Sequence, residues 1–302
     1  VSGRARVVTR FGAELILRTE SGELLRAVSR RNLVKHGPAH LRVSVCGDYV
    51  SYETDDGDNK AVATTLEPRQ NVLVRPDHRG RPHAGAANID QVLIVIAPRP
   101  SPDWGIIDRY LTAIAALSAT PLLVINKSDL SESPAEGLIA DTEALYSGLG
   151  YRVLRTSAKN SDGIEALREH LHGRTSLLVG QSGVGKSSLT RALDPGLEIR
   201  IGELSAISGE GRHTTTVAHL YALSSGGDLI DSPGVRDFAP YEPTADDLAT
   251  GFPEIAECAH DCRFHDCRHR AEPGCAVKAA AETGRIPPSR LRSFLELEGN
   301  SA

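Results

Sequence analysis

Gly180-Gln181-Ser182-Gly183-Val184-Gly185-Lys186-Ser187 fills every fixed position of G-x-x-x-x-G-K-[ST]. The apolar run Thr175–Gly180 leads into it, and the helix-compatible Ser187-Ser188-Leu189-Thr190-Arg191-Ala192-Leu193 leads out. Glycines let successive backbone N–H groups curl around an anion, and the N-terminus of the following helix adds partial positive charge. The spacing therefore predicts a phosphate loop between a buried strand and a helix, formed by Gly180 through Ser188. Lys186 is expected to reach the outer phosphates and the Ser187 hydroxyl to bind Mg²⁺.

Working outward, Gln91–Ala97, Pro121–Asn126 and Asp228–Asp231 read as further apolar strands of a parallel sheet buried on both faces. Ile164, Leu167 and Leu171 share one helical face, and Gly173 ends that helix. Strands alternating with helices define an α/β domain. Asp231-Ser232-Pro233-Gly234 closes one strand, placing the Asp231 carboxylate to hold Mg²⁺ and the Gly234 N–H to meet a γ-phosphate.

Asn126-Lys127-Ser128-Asp129 closes another strand. A carboxylate at Asp129 can accept from N1–H and the 2-amino group of guanine. Adenine has neither donor, so the carboxylate would be left unpaired, and that asymmetry produces large discrimination. Lys127 is expected to pack its stem along base and ribose, and Asn126 to tie neighbouring loops together. Ser157-Ala158-Lys159 follows the short strand Arg152–Ser157 and could offer a backbone N–H to guanine O6. The bound nucleotide is thus expected to be GTP or GDP.

The order of these motifs is permuted: the base-reading residues span 126–159 and the phosphate residues 180–234. Domain termini often lie close together, so a rejoined chain can build the same site. Between the two phosphate motifs lies Gly211-Arg212-His213-Thr214-Thr215-Thr216. A threonine here is expected to close over Mg²⁺ and the γ-phosphate; Thr215 is favoured, then Thr214, and Thr216 stays open. Val235 stands where a water-orienting Gln would follow the glycine, and an apolar side chain cannot orient water. His213 is the candidate catalytic group, since neutral imidazole accepts a proton near pH 7.

The 302 residues suffice for several domains. Residues 1–85 read as short strands with glycine turns, namely Ala5–Thr9, Glu14–Leu17, Leu24–Val28, Leu41–Val45 and Val72–Arg75. A five-stranded OB-type β-barrel fits that size. Arg75–Gly85 reads as a linker, 86–245 as the permuted GTPase domain and 246–302 as a mainly helical metal-binding domain ending in a helix from Pro287 or Pro288 to Glu298. The net charge of −5 masks nine Lys/Arg against three Asp/Glu in residues 1–45, so a basic face on the barrel is open.

Cys262, Cys267, His269 and Cys275 form C-x₄-C-x-H-x₅-C, a donor set for one closed, structural Zn²⁺, with Cys258 as a spare. Such clustering suits a reducing cytoplasm. No signal peptide is read, the absence of Met implies a trimmed start, and the longest apolar run, Leu111–Ile125, is broken by Ser118, Thr120 and Pro121. No membrane partner is expected.

Taken together, these motifs resemble the RsgA (YjeQ) family of circularly permuted GTPases. The resemblance covers nearly the whole chain and includes Gly211–Thr216, Ala86-Ala87-Asn88-Ile89-Asp90-Gln91, Cys262–His269 and Glu272-Pro273-Gly274-Cys275. It implies an OB-fold touching ribosomal RNA and a slow GTP hydrolysis accelerated by the small ribosomal subunit. It also matches His213 to the residue of hydrolysis and Cys262, Cys267, His269 and Cys275 to zinc ligands. A monomer is expected. At 4% aromatic residues, phosphate contacts are expected to dominate over base stacking.

Overall fold

The structure is a computed structural model describing residues 2–30, 33, 38–54, 61–76, 81–100, 104–130, 136–197, 218–231 and 243–299. Its N-terminal part is built from Ser2–Phe11 (β1), Glu14–Thr19 (β2), Leu24–Ser29 (β3), Tyr49–Thr54 (β4) and Ala61–Leu66 (β5). They close into a barrel of order β1-β2-β3-β5-β4, with β3 and β5 parallel and β1 and β4 antiparallel. That is a Greek-key OB barrel. Val7, Leu15, Leu17, Val50 and Ala63 fill its interior.

Two expectations need correction here. Leu41–Val45 is no strand: a 3-10 turn spans Ala39–Leu41, and irregular chain follows. Side chains take over its backbone groups. Arg69 donates to the Leu41 and Val43 carbonyls at 3.0 and 2.6 Å, and Asp48 accepts the Val45 N–H at 2.7 Å. Polar groups satisfied this way need no ladder partner. Val72–Pro76 (β6) is a strand but lies outside the barrel, paired antiparallel with Pro82–Ala87 (β7). Much of the expected linker is therefore a hairpin.

Gln91–Ile96 (β8), Thr120–Ile125 (β9), Val153–Arg155 (β10), Thr175–Val179 (β11), His219–Ala222 (β12) and Asp228–Asp231 (β13) form one sheet, ordered β10-β9-β8-β11-β13-β12. Every pairing is parallel except that of β12 with β13. Trp104–Ala116 (α1) and Glu136–Gly148 (α2) cover one face; Ile164–Leu171 (α3) and Lys186–Leu193 (α4) cover the other. Every residue of β8 is buried, as a strand sandwiched between helix layers requires.

The C-terminal part holds Ala245–Gly251 (α5), Pro253–Ala259 (α6), Ala276–Glu282 (α7) and Pro288–Gly299 (α8). Thr244 caps α5 in a reciprocal box with Asp247. Phe252, Ile255, Val277 and Ile286 make a separate small core. No described helix is long and apolar enough to cross a membrane.

Candidate nucleotide site and metal centre

Because β8, β9, β11 and β13 run parallel, their C-terminal ends share one edge, where open α/β sheets bind ligands. The phosphate loop leaves β11, Asn126 follows β9 and Asp231 ends β13. The loop's geometry demands glycine. Gly180 has φ +139° and Gly185 +97°, conformations that L side chains rarely adopt. A Cβ at Gly180 would collide with the Val95 carbonyl oxygen, and one at Gly185 with Asn126 Nδ2. Gln181, Ser182, Gly183 and Val184 complete the turn, and α4 begins at Lys186 with Ser187 and Ser188 exposed in its first turn. Lys186 Nζ donates to the Gly180 and Gln181 carbonyls at 2.7 and 2.8 Å, so the ammonium lies curled over its own loop.

Asn126 joins the two halves of the site. Buried at 1% exposure, it donates from Nδ2 to the Val184 carbonyl at 2.9 Å. Its Oδ1 accepts from Thr156 Oγ1 and from the Ala158 N–H, each at 3.3 Å. One side chain thus ties the phosphate loop to the Ser157–Lys159 loop. Lys127 reaches across as well, donating to the Arg99 and Gly183 carbonyls at 2.9 and 2.6 Å. Ser128 and Asp129 sit in a 3-10 turn. Asp129 Oδ1 accepts from Ser157 Oγ at 2.7 Å, while exposed Lys159 stands 3.9 Å from Oδ2.

The sequence reading missed two of these roles. Thr156, fully buried, helps orient Asn126, and Ser157 acts through its hydroxyl as well as through its place in the loop. Asp231 touches solvent yet lies in a dense surround that raises its carboxyl above the ordinary range, with the Lys186 ammonium pulling it down. His213, Thr214, Thr215, Thr216, Gly234 and Val235 lie outside the described residues.

At the other end of the chain, Cys262, Cys267, His269 and Cys275 place one donor atom each within 4.8 Å of the others. His269 Nδ1 is 3.6 Å from Cys262 Sγ and 3.4 Å from Cys275 Sγ, and those two sulfurs are 3.9 Å apart. A tetrahedral zinc with ordinary bond lengths sets S···S near about 3.8 Å and S···N near about 3.6 Å. The donors fit a metal ion of that kind. Burial lowers the His269 imidazole below its usual range, against the Glu272 and Glu298 charges, which favours the neutral, ligating form. Glu272 accepts the N–H groups of Arg268, Arg270 and Ala271 at 2.9–3.0 Å and so shapes the ligand loop. Cys258 is not among the four; it is packed in the small C-terminal core.

An OB barrel, a sheet with base-reading motif ahead of phosphate loop, and a Cys₃His cluster define a circularly permuted P-loop GTPase with two appended domains. The family model described as RsgA GTPase matches residues 66–240. The small ribosomal subunit biogenesis GTPase RsgA of Pseudomonas aeruginosa is 44% identical over 290 residues, covering 96% of this chain and 83% of that relative. The protein of the same description from Azotobacter vinelandii is 43% identical over 289 residues, covering 95% and 82%. Among solved structures, YjeQ from Thermotoga maritima aligns with TM-score 0.78 and 31% identity over 100% of this chain and 99% of that one. YloQ, described as a circularly permuted GTPase, aligns with TM-score 0.74 and 27% identity over 100% and 95%. The chain belongs to the RsgA GTPase family.

Proposed function

We propose that this GTPase is a switch in late maturation of the small ribosomal subunit: it binds the subunit and its rRNA with GTP bound and leaves after hydrolysis. The observation that carries this is the Asn126 bridge, which makes one site of a base-reading loop and a phosphate loop. The names of the relatives, small ribosomal subunit biogenesis GTPases, supply the substrate assembly. We divide the chain into 1–85, 86–245 and 246–302, acting as a cytoplasmic monomer.

In this reading Asp129 reads the guanine edge, oriented by Ser157. Asn126, Lys127, Ser128, Ala158 and Lys159 shape the base pocket. The backbone of Gly180–Ser188 cradles the phosphates, and Lys186 swings from its loop carbonyls onto them; Gly234 adds an N–H. Ser187, Asp231 and Thr215 would hold Mg²⁺, which when bound offsets phosphate charge. His213 holds the attacking water and accepts its proton, in place of the Gln that Val235 replaces. Cys262, Cys267, His269 and Cys275 hold one structural Zn²⁺, which ties down a segment with little core of its own.

GTP turnover with and without purified small subunits tests this. Stimulation by small but not large subunits, lost in His213→Ala, is expected. No stimulation, with His213→Ala turning over like wild type, would leave a nucleotide-gated RNA-binding module instead.

A further inference from the structure

Between the barrel and the β6–β7 hairpin lies a cleft of about 700 Å³, which reaches Ala218 immediately before β12 and is lined by none of the described residues of the nucleotide site. Arg10, His40, Arg75, Arg81 and His83 line it, and no Asp or Glu does so among the described residues. This is a concentration of cationic and imidazole groups in a protein whose net charge is −5. Its floor is apolar, made by Val45, Cys46, Ala84 and Ala218, all buried.

Arg10 is the fixed point. It projects from the end of β1, with Nε donating to the Gly12 carbonyl at 2.6 Å and Nη1 to the Ser44 carbonyl at 2.8 Å. Both partners are neutral. Asp48, the acid that acts on Arg10, has its oxygens taken by Arg69 at 2.7 Å and by the Val45 N–H. Burial lowers the Arg10 guanidinium below its ordinary range, which Asp48 offsets in part. Among the described residues this partly desolvated cation is held by carbonyls with no carboxylate in hydrogen-bond contact. An anion entering the cleft would add counter-charge, at little ordering cost because the guanidinium is already fixed.

The combination of cationic rim and apolar floor selects the anion. A carboxylate needs only the rim. A nucleotide unit uses both, with phosphate on the guanidinium groups and the flat face of base or ribose on the floor. Pockets of about 300–1,000 Å³ suit a ligand of that size. We propose that this cleft holds one nucleotide unit of a single RNA strand, its phosphodiester at Arg10 and Arg81 and its base on the floor around Cys46 and Ala84. The choice of RNA over other phosphodiesters rests on the proposed action on the small subunit; the cleft shares none of its described lining residues with the site for GTP.

The test is fluorescence anisotropy of a short labelled single-stranded RNA with the full-length, zinc-loaded protein, over a series of salt concentrations. Arg81→Gln is expected to weaken binding about 5- to 10-fold, on the scale of one solvent-facing charged contact. It should also flatten the dependence of log affinity on log salt by about 0.7. Arg10→Gln should do the same, and Arg10→Lys should keep the salt slope. Melting temperature and GTP affinity report whether each variant is folded; should Arg10→Gln fail that check, Arg81→Gln and Arg10→Lys decide.

Unchanged affinity and slope in a folded Arg81→Gln protein would overturn the proposal. Displacement by AMP or inorganic phosphate at the same concentration per phosphate would overturn the RNA strand in favour of a small free anion. Sedimentation with small subunits separates the two readings. Wild type that ignores subunits but loses RNA through Arg81→Gln sinks the ribosomal role and keeps the cleft. Wild type that sediments with subunits, while Arg81→Gln binds RNA normally, sinks the cleft alone.

Discussion

Arg6 of the barrel and Asp228 of the sheet meet at 2.5 Å, across the boundary between the first two parts of the chain. The Arg6 guanidinium, 8% exposed, also donates to Thr175 Oγ1 at 2.7 Å, and Arg18 adds a second contact to Asp228 at 2.8 Å. Two arginines from adjacent barrel strands thus hold the first residue of β13, whose last residue is Asp231. The barrel is fixed to the strand that delivers a candidate Mg²⁺ ligand. Removing the carboxylate strands a buried cation, and breaking such a pair costs about 3–5 kcal/mol. Asp228→Asn should therefore lower the denaturant midpoint strongly, by about 3 kcal/mol or more. Arg18→Gln leaves the Arg6 pair intact and should cost about 1 kcal/mol or less. Equal midpoints for the two variants would show that the interface is held elsewhere.

Asp129 and Ser157 give a prediction about specificity. The Ser157 hydroxyl fixes one Asp129 oxygen at 2.7 Å, so the carboxylate is oriented before nucleotide arrives. Asp129→Asn turns one acceptor into a donor, which opposes the 2-amino group of guanine but complements the 2-oxo group of xanthine. GTP affinity should fall at least about 100-fold, near 2.8 kcal/mol, while affinity for XTP rises. Titration with both nucleotides reads this directly. A variant that keeps GTP affinity would remove Asp129 from the base pocket.

The central strands of the sheet were legible because they are buried on both faces and so read as unbroken apolar runs; β8 and β11 came out within a residue, whereas the half-exposed edge strand β12 was not read. Ile164–Leu171 was equally plain, with three buried residues on one face and Gly173 after it. The last two barrel strands were not legible. Tyr49–Thr54 and Ala61–Leu66 are short and rich in small or polar residues, and β5 pairs in parallel with β3, more than thirty positions away. Nothing local records such a partner. Leu41–Val45 had a strand's pattern, yet Arg69 took its carbonyls. At the site, motif spacing located the residues, while the Asn126–Val184 bond depends on a fold that brings positions 58 apart together.

Cys258 and Cys275 separate packing from ligation. Both are buried, but only Cys275 belongs to the four-donor cluster, where its Sγ also accepts the Lys278 N–H at the start of α7. Cys258→Ala should keep one zinc per chain by metal analysis and cost about 1 kcal/mol or slightly more for the lost thiol volume. Cys275→Ser should lose zinc and, with it, the near-ultraviolet signal of the packed C-terminal core around Phe252 and Phe294. Prolonged chelation of wild type should reproduce the second result. Zinc loss in Cys258→Ala would overturn the ligand assignment.

Arg290, a charged residue of α8, is fully buried. It donates to Asp108 at 2.6 Å, to Glu254 at 2.7 and 3.1 Å and to the Gly251 carbonyl at 2.8 Å, and it lies over the Phe252 ring. Burial disfavours its charge, but the Glu254 hydrogen bonds and the Asp108 and Glu254 charges outweigh that and hold it firmly protonated. The guanidinium thus ties α1 of the sheet domain to α6 and α8. Lysine has no planar fork and cannot serve both carboxylates and the carbonyl together. Arg290→Lys should destabilise by about 2 kcal/mol and Arg290→Met by about 3–5 kcal/mol, since methionine leaves buried Asp108, with only the Tyr146 hydroxyl, and the largely covered Glu254 without their cation. Denaturant midpoints measure this; a Met variant no less stable than the Lys variant would show that Arg290 acts through packing against Phe252 and not through charge.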